Sequence, residues 1–208
     1  MKDLLIFPFN GNAIEALDAL GDKFNLLGFV DDSKQGKDFF GIPILGREAF
    51  EQFKTAKVLA VPGSPTSFMI RKNIIDSLGI ELDRFANVIH PMAHVSKYAI
   101  LGSNLLILSG STINATAQIG NHVIVLNNSV VHHDSQIKDY AILGSSVVVA
   151  GNVIIEENCY LGSASSIINN VTIGEKSLVG IGSNVIKAIP KDSKYVGNPA
   201  KHIIWKFR

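Results

Sequence analysis

Val131-His132-His133-Asp134 is the stretch of this 208-residue chain whose side chains best suit proton transfer. A carboxylate beside an imidazole orients the ring and raises its basicity, as a general base requires. Gly151 follows His133 by 18 residues and precedes Asn152. A glycine leaves its backbone open to close approach, and its N–H can face a developing oxyanion. Base and donor together suit acyl transfer from a thioester. A solvated turn histidine is the alternative reading of His133, and on these residues alone the two stand equally. His122 has no acidic neighbour and reads as structural, as do His90 and His94.

The interval of 18 is set by a repeat. From Ile89 to Val185, every sixth residue is Ile, Val or Leu, without one insertion. Two places before most of them stands something small, such as Ala93, Ser111, Ser129, Ala141, Cys159 or Ser177, with Leu105 the bulky exception. Residues two apart on a strand point the same way, so both face inward. A period of six fits neither a helix nor a flat sheet; it is the period of a parallel β-helix with one hexad per face. Three faces make an 18-residue coil, and residues 18 apart stack at about 4.8 Å. Turn formers such as Asn127-Asn128 and Asn169-Asn170 occupy the two corner positions. His133 and Asp134 fill one such corner, with Gly151 stacked on His133 in the next coil. Gly102, Gly120, Gly144, Gly162, Gly174 and Gly180 precede corners and are expected to accept positive φ there.

The first 83 residues read as a separate α/β unit, and 84–208 as the β-helix with its tail. Strands are expected at Leu4–Phe7, Phe24–Val30 and Val58–Val61, with Asn12 capping a helix through Leu20 and another helix from Ser67 to Leu78, ended by Gly79. Strand–helix alternation predicts a small parallel, Rossmann-like sheet whose ligands sit at the carboxyl ends of its strands. Those ends hold Phe9-Asn10-Gly11-Asn12, Asp31-Asp32 and Gly63-Ser64. An acidic residue after the second strand suits a ribose or other sugar hydroxyl, although two aspartates that merely end a strand in a turn account for it equally. Phe7-Pro8-Phe9-Asn10-Gly11 lacks the glycine fingerprint of a dinucleotide site, so a redox cofactor is not expected.

Composition excludes other classes. Nineteen Lys and Arg against eighteen Asp and Glu, well mixed, give net charge +1 and no basic stripe for nucleic acid. Cys159, the single cysteine, falls on an inward position and reads as core. No apolar run reaches membrane-spanning length and no leader pattern opens the chain, so a cytoplasmic protein is expected.

The chain resembles the PglD/NeuD-type sugar acyltransferases of the hexapeptide-repeat superfamily. The resemblance rests on Gly28-Phe29-Val30-Asp31-Asp32 with Gly41-Ile42-Pro43-Ile44-Leu45-Gly46, on the Ser129–Asp134 corner, on Ala150-Gly151-Asn152-Val153, and on Val196-Gly197-Asn198-Pro199-Ala200-Lys201. It implies a left-handed β-helix and acetyl-CoA-dependent N-acetylation of a nucleotide-linked amino-deoxy-sugar for surface glycan synthesis. It also implies a homotrimer with acetyl-CoA in the clefts between chains. The implied catalytic residues are His133, Asp134 and Gly151, and the implied acetyl-CoA contacts are Ile142, Gly151, Ser163 and Ile181. Asn10, Gly11, Asp31, Asp32 and Gly63 are the implied nucleotide-sugar contacts. Three departures stand out: Pro8-Phe9-Asn10-Gly11-Asn12-Ala13 replaces the family's Gly-x-Ser-Gly-His-Gly loop, Ile142 replaces a frequent second histidine, and His132 replaces Asn or Glu. An O-acetyltransferase of sialic acid type is the nearest rival, and a non-catalytic β-helix scaffold the third reading. No metal is expected: hexapeptide-repeat carbonic anhydrases need two histidines five residues apart, and positions 90, 94, 122, 132, 133 and 202 offer no such pair.

Overall fold

The six-residue period appears in the structure as seventeen two-residue strands, β6 to β22, one per hexad from Val88–Ile89 to Asn184–Val185. The structure is a computed structural model describing residues 1–204; the last four residues of the expected second domain lie outside them. Each strand through β19 pairs in parallel with the one 18 residues on, as Thr112 does with Val130 and Val130 with Val148. The strands form three sheets, one per face of a left-handed prism. The eight-stranded sheet also takes in β23 (Lys194–Val196) and β24 (Lys201–His202). The aliphatic column and the small residues fill one continuous core, Leu105 included. Three inward serines are satisfied within it: Ser111, Ser129 and Ser135 donate to the carbonyls of Leu126, Gly144 and Ala150 at 2.9, 2.7 and 2.7 Å, whereas Ser165 Oγ has no partner among the described residues. Cys159 donates to Gly174 O at 3.2 Å, and burial pushes its thiol up to about 12. It is a core residue, inert as a nucleophile.

The corners correct one expectation. Positive φ falls on the second corner residue, as at Asn128, Asp134, Asn152 and Asn170 (60°, 60°, 58° and 63°), and not on the glycines before the corner. Those glycines answer a different need. A Cβ on Gly144 or Gly162 would lie 2.7 and 2.6 Å from the backbone nitrogens of Ser163 and Ile181 in the next coil. Coil stacking, not backbone handedness, requires them.

The N-terminal unit is a five-stranded sheet of order β3-β4-β2-β1-β5. Its strands are β1 (Lys2–Phe7), β2 (Phe24–Val30), β3 (Gly36–Lys37), β4 (Pro43–Leu45) and β5 (Lys57–Ala60), all parallel except the β3–β4 hairpin. β3, β4 and α2 (Ala49–Gln52) are too short to announce themselves by periodicity. Helix α1 (Gly11–Glu15) runs on as a 3-10 turn through Ala19. Its cap is Asn10, whose Oδ1 accepts from Ala13 N at 3.0 Å; Asn12, expected there, instead sends its amide to Val61 O and Gly63 O. A 3-10 turn at Phe68–Ile70 leads into α3 (Arg71–Asp76), and Gly79 follows at φ 62°.

The two units share a core. Leu106, Ile124, Ile142 and Leu178, on the outward side of the eight-stranded sheet, pack against Leu4, Ile6 and Phe68. Phe85 still bridges Val58 before the chain enters the first coil. Arg71 is wholly buried at this joint and donates to the carbonyls of Pro62, His122 and Tyr140, tying the first unit to two successive coils. Burial pulls its guanidinium down to about 9. Asn104 completes the joint: it accepts from Ala60 N and donates to Ala60 O, both at 2.8 Å, and its amide also donates to His122 Nδ1 at 2.9 Å. His122 must therefore be neutral, with its proton on Nε2, and burial together with Arg71 lowers it to about 4.

Candidate active site

All five expected nucleotide-sugar residues line one cleft of about 750 Å³ between the sheet's carboxyl ends and the β-helix. Their roles differ. Asp31 is spent on its own turn: Oδ1 accepts from Ser33 N, Ser33 Oγ and Lys34 N, and Oδ2 from Phe9 N. Burial alone would raise its carboxyl, but these four hydrogen bonds outweigh burial and hold it low. The turn reading thus describes Asp31. Asp32 stays half-exposed and meets Arg47 in a bidentate pair, 2.6 and 2.8 Å. Arg47 is braced in turn by Ser77 O at 2.9 Å and lies over the Phe7 ring. Asn10 is consumed as the helix cap, and its amide also reaches Val61 O. Gly63 sits at φ 133°, with no space for a Cβ between Ile142 and Arg71. Asn12 also lines the cleft; its NH2 is tied to two carbonyls, and its Oδ1 accepts no hydrogen bond among the described residues. Arg47 was not singled out from sequence; only tertiary contacts bring it to this wall.

Ile142, expected at acetyl-CoA, is 3% exposed and lies beneath Gly63, on the floor of the first cleft with Leu126 and Tyr160. The first unit covers that face of the prism, which takes Ile142 away from the other expected acetyl-CoA residues. Ser163 and Ile181 stack on the edge joining the eight- and six-stranded sheets, where Ser163 Oγ accepts from Ser145 N and Ile181 is 79% exposed.

His133 and Asp134 turn the chain between β13 (Val130–Val131) of the six-stranded sheet and β14 (Gln136–Ile137) of the five-stranded sheet. His133 Nδ1 lies 2.8 Å from Asp134 Oδ2. A carboxylate only accepts, so Nδ1 carries the proton and Nε2 of the neutral ring is left to take one. Hydrogen bonds from His133, and next from Thr116, hold the Asp134 carboxyl below the ordinary carboxylate range. Thr116, one coil earlier, donates to Asp134 Oδ1 at 2.8 Å and accepts from Asp134 N at 3.0 Å. Counting back 18 from Asp134 would have found it. Gly151 sits against the imidazole: a Cβ there would fall 2.8 and 2.9 Å from His133 Cε1 and Nε2. Gly151 N–H makes no hydrogen bond among the described residues. The arrangement is an exposed base with an oriented free nitrogen on a prism edge, set over a buried glycine whose backbone donor is bare.

Among the described residues, no three His, Cys, Asp or Glu gather to hold a metal, and no helix is long and apolar enough to cross a membrane.

The bacterial transferase hexapeptide (six repeats) model matches residues 116–151, the coils that carry Thr116, His133 and Gly151. No curated protein gives a significant match. Among solved structures, PerB from Caulobacter crescentus in complex with CoA and GDP-perosamine is 27% identical. It superposes with a TM-score of 0.83 over 98% of this chain and 97% of that one. The acetyltransferase domain of PglB from Neisseria gonorrhoeae FA1090, in complex with acetyl coenzyme A, is 25% identical, with a TM-score of 0.86 over 97% of this chain and 99% of that one. WeeI from Acinetobacter baumannii AYE, 20% identical, shares the fold with a TM-score of 0.84 over 98% and 100%.

Proposed function

We propose that this hexapeptide-repeat protein, built over its full length like the sugar N-acetyltransferases it matches, moves the acetyl group of acetyl-CoA to the amino group of a nucleotide-linked amino-deoxy-sugar. Its product would enter surface glycan synthesis, and its place is the cytoplasm, where acetyl-CoA is at hand. The observation that carries the reading is His133 Nε2, freed by the Nδ1–Asp134 bond and set against Gly151. The amine nitrogen attacks the thioester carbonyl carbon, and the π pair moves onto oxygen. His133 Nε2 takes the proton the nitrogen must lose. Gly151 N–H faces the oxyanion; on collapse the C–S bond breaks, and the leaving thiolate takes the proton back from His133. No covalent enzyme intermediate is needed.

The same reading makes the protein a homotrimer. The sugar cleft is floored by the eight-stranded face, whereas His133 stands on the edge where the other two faces meet. In a three-sided prism that edge lies opposite the cleft, so a base in one chain would serve a cleft completed by a neighbour. Acetyl-CoA would lie along the six-stranded face, from the Ser163–Ile181 edge to the His133–Gly151 edge. Asp32, paired with Arg47, would meet ribose or sugar hydroxyls.

The test is thiol release from acetyl-CoA with GDP-, UDP- and dTDP-linked 4-amino-deoxy-sugars, read beside light scattering. Turnover with one of them by a trimer is the expected result. A micromolar monomer, or thiol release with no acetylated sugar, would overturn the reading.

A further inference from the structure

At three corners of this prism the backbone N–H is matched by a side-chain oxygen one coil on, and at Gly151 it is not. At those three the residue 18 places on supplies the oxygen. Ser103 N bonds Asn121 Oδ1 at 2.9 Å, Asn121 N bonds Asp139 Oδ1 at 2.7 Å, and Ser145 N bonds Ser163 Oγ at 3.2 Å. The residue 18 beyond Gly151 is Asn169, which has an oxygen to offer. It does not use it so. Asn169 turns its Nδ2 toward Gly151, 3.3 Å from the point a Cβ would occupy, and the Gly151 N–H stays unmatched among the described residues. From the coil below, His133 Nε2 reaches that same point to 2.9 Å.

His133 Nε2, an acceptor, and Asn169 Nδ2, an amide donor, therefore flank Gly151 from the two neighbouring coils, beside its bare backbone N–H. An oxygen gaining negative charge there would receive two donors, from Gly151 N–H and Asn169 Nδ2, while a nitrogen losing a proton faces His133. Asn169 is exposed, and among the described residues no hydrogen bond of its side-chain amide holds it to the fold. Nothing in the packing requires an amide at this position.

We infer that Asn169 is a further catalytic residue, the second donor to the thioester oxygen as it becomes an oxyanion. This rests on the acetyl-transfer reading above. Removing one such donor costs about 10²–10³ in kcat. Asn169→Ala is expected to lose that much with its melting temperature and KM for acetyl-CoA nearly unchanged. Asn169→Asp, which sets a carboxylate against the oxyanion, is expected to be slower than Asn169→Ala. Steady-state kinetics at saturating sugar nucleotide, run beside wild type and His133→Ala, read both readings apart. A wild type without turnover on any nucleotide amino-sugar overturns the parent reading and this one with it. An active wild type with Asn169→Ala within about threefold in kcat, or with only the acetyl-CoA KM raised, overturns this inference alone.

Discussion

Adding one methyl group at Gly151 tests the site with little disturbance to the fold. An alanine Cβ would stand 2.8 Å from His133 Cε1 and 2.9 Å from Nε2, where ordinary carbon contacts lie at about 3.5–4.0 Å. The ring must retreat by more than half an ångström. It can do so easily, because His133 is 64% exposed. The backbone at 151 is not in the left-handed region either, so alanine meets no conformational strain. The stability change should stay within about 1 kcal/mol. Catalysis should suffer far more, since a displacement near 1 Å at a reacting group costs about 10²-fold. The control is Gly162→Ala, whose Cβ would meet the backbone nitrogen of Ile181 at 2.6 Å. That atom cannot swing away, so overpacking should cost about 1–3 kcal/mol. Thermal melts and kcat for the two variants decide the matter. Gly151→Ala with kcat within about threefold of wild type would refute the placement of the reaction. A stability loss at 151 as large as that at 162 would make this glycine one more stacking residue.

His133→Ala should lower kcat by about 10²–10⁴ while acetyl-CoA still binds, His132→Ala should do much less, and Asp134→Asn should fall between; an inactive His132→Ala beside a near-normal His133→Ala would shift the site by one residue. Asp32→Ala should raise the KM for the sugar nucleotide and spare that for acetyl-CoA, and the opposite pattern would exchange the two ligand positions. Stability should fall as pH drops from about 6.5 to about 4, because the unfolded chain binds a proton on His122 that the folded chain refuses. The loss is about 3 kcal/mol and levels off below pH 4. Melting curves across that range should show the slope in wild type and a shallower one in His122→Asn; equal slopes would show that His122 is not its source.

The second half of the chain was legible because its period is absolute. One inward aliphatic residue every six positions sets strand, face and coil at once, so the stacking of Gly151 on His133 followed from subtraction. Local detail was less legible. Asn10 and Asn12 are both competent caps, and which one closes α1 depends on where Val61 and Gly63 present their carbonyls. The glycines before the corners suggested positive φ, yet a distance to the next coil, invisible along the chain, explains them. β3, β4 and α2 span two to four residues, below the length at which a pattern separates from chance.

The sequence by itself determined the prism, the edge that carries His133 and Asp134, and the strand ends that meet in the N-terminal cleft. Each depends on residues near in sequence or on a constant interval of 18. Only the tertiary structure decided that Asp31 is spent on its own turn while Asp32 faces Arg47. It also decided that Ile142 lies under the first unit, and that Arg71 binds three carbonyls drawn from 62, 122 and 140. These contacts join segments 9 to 69 residues apart. No periodicity encodes such pairs; they form because burying the eight-stranded face against the first sheet brings polar groups into a dry joint, where an unpaired group is costly and Arg71 Nε and Nη1 find partners.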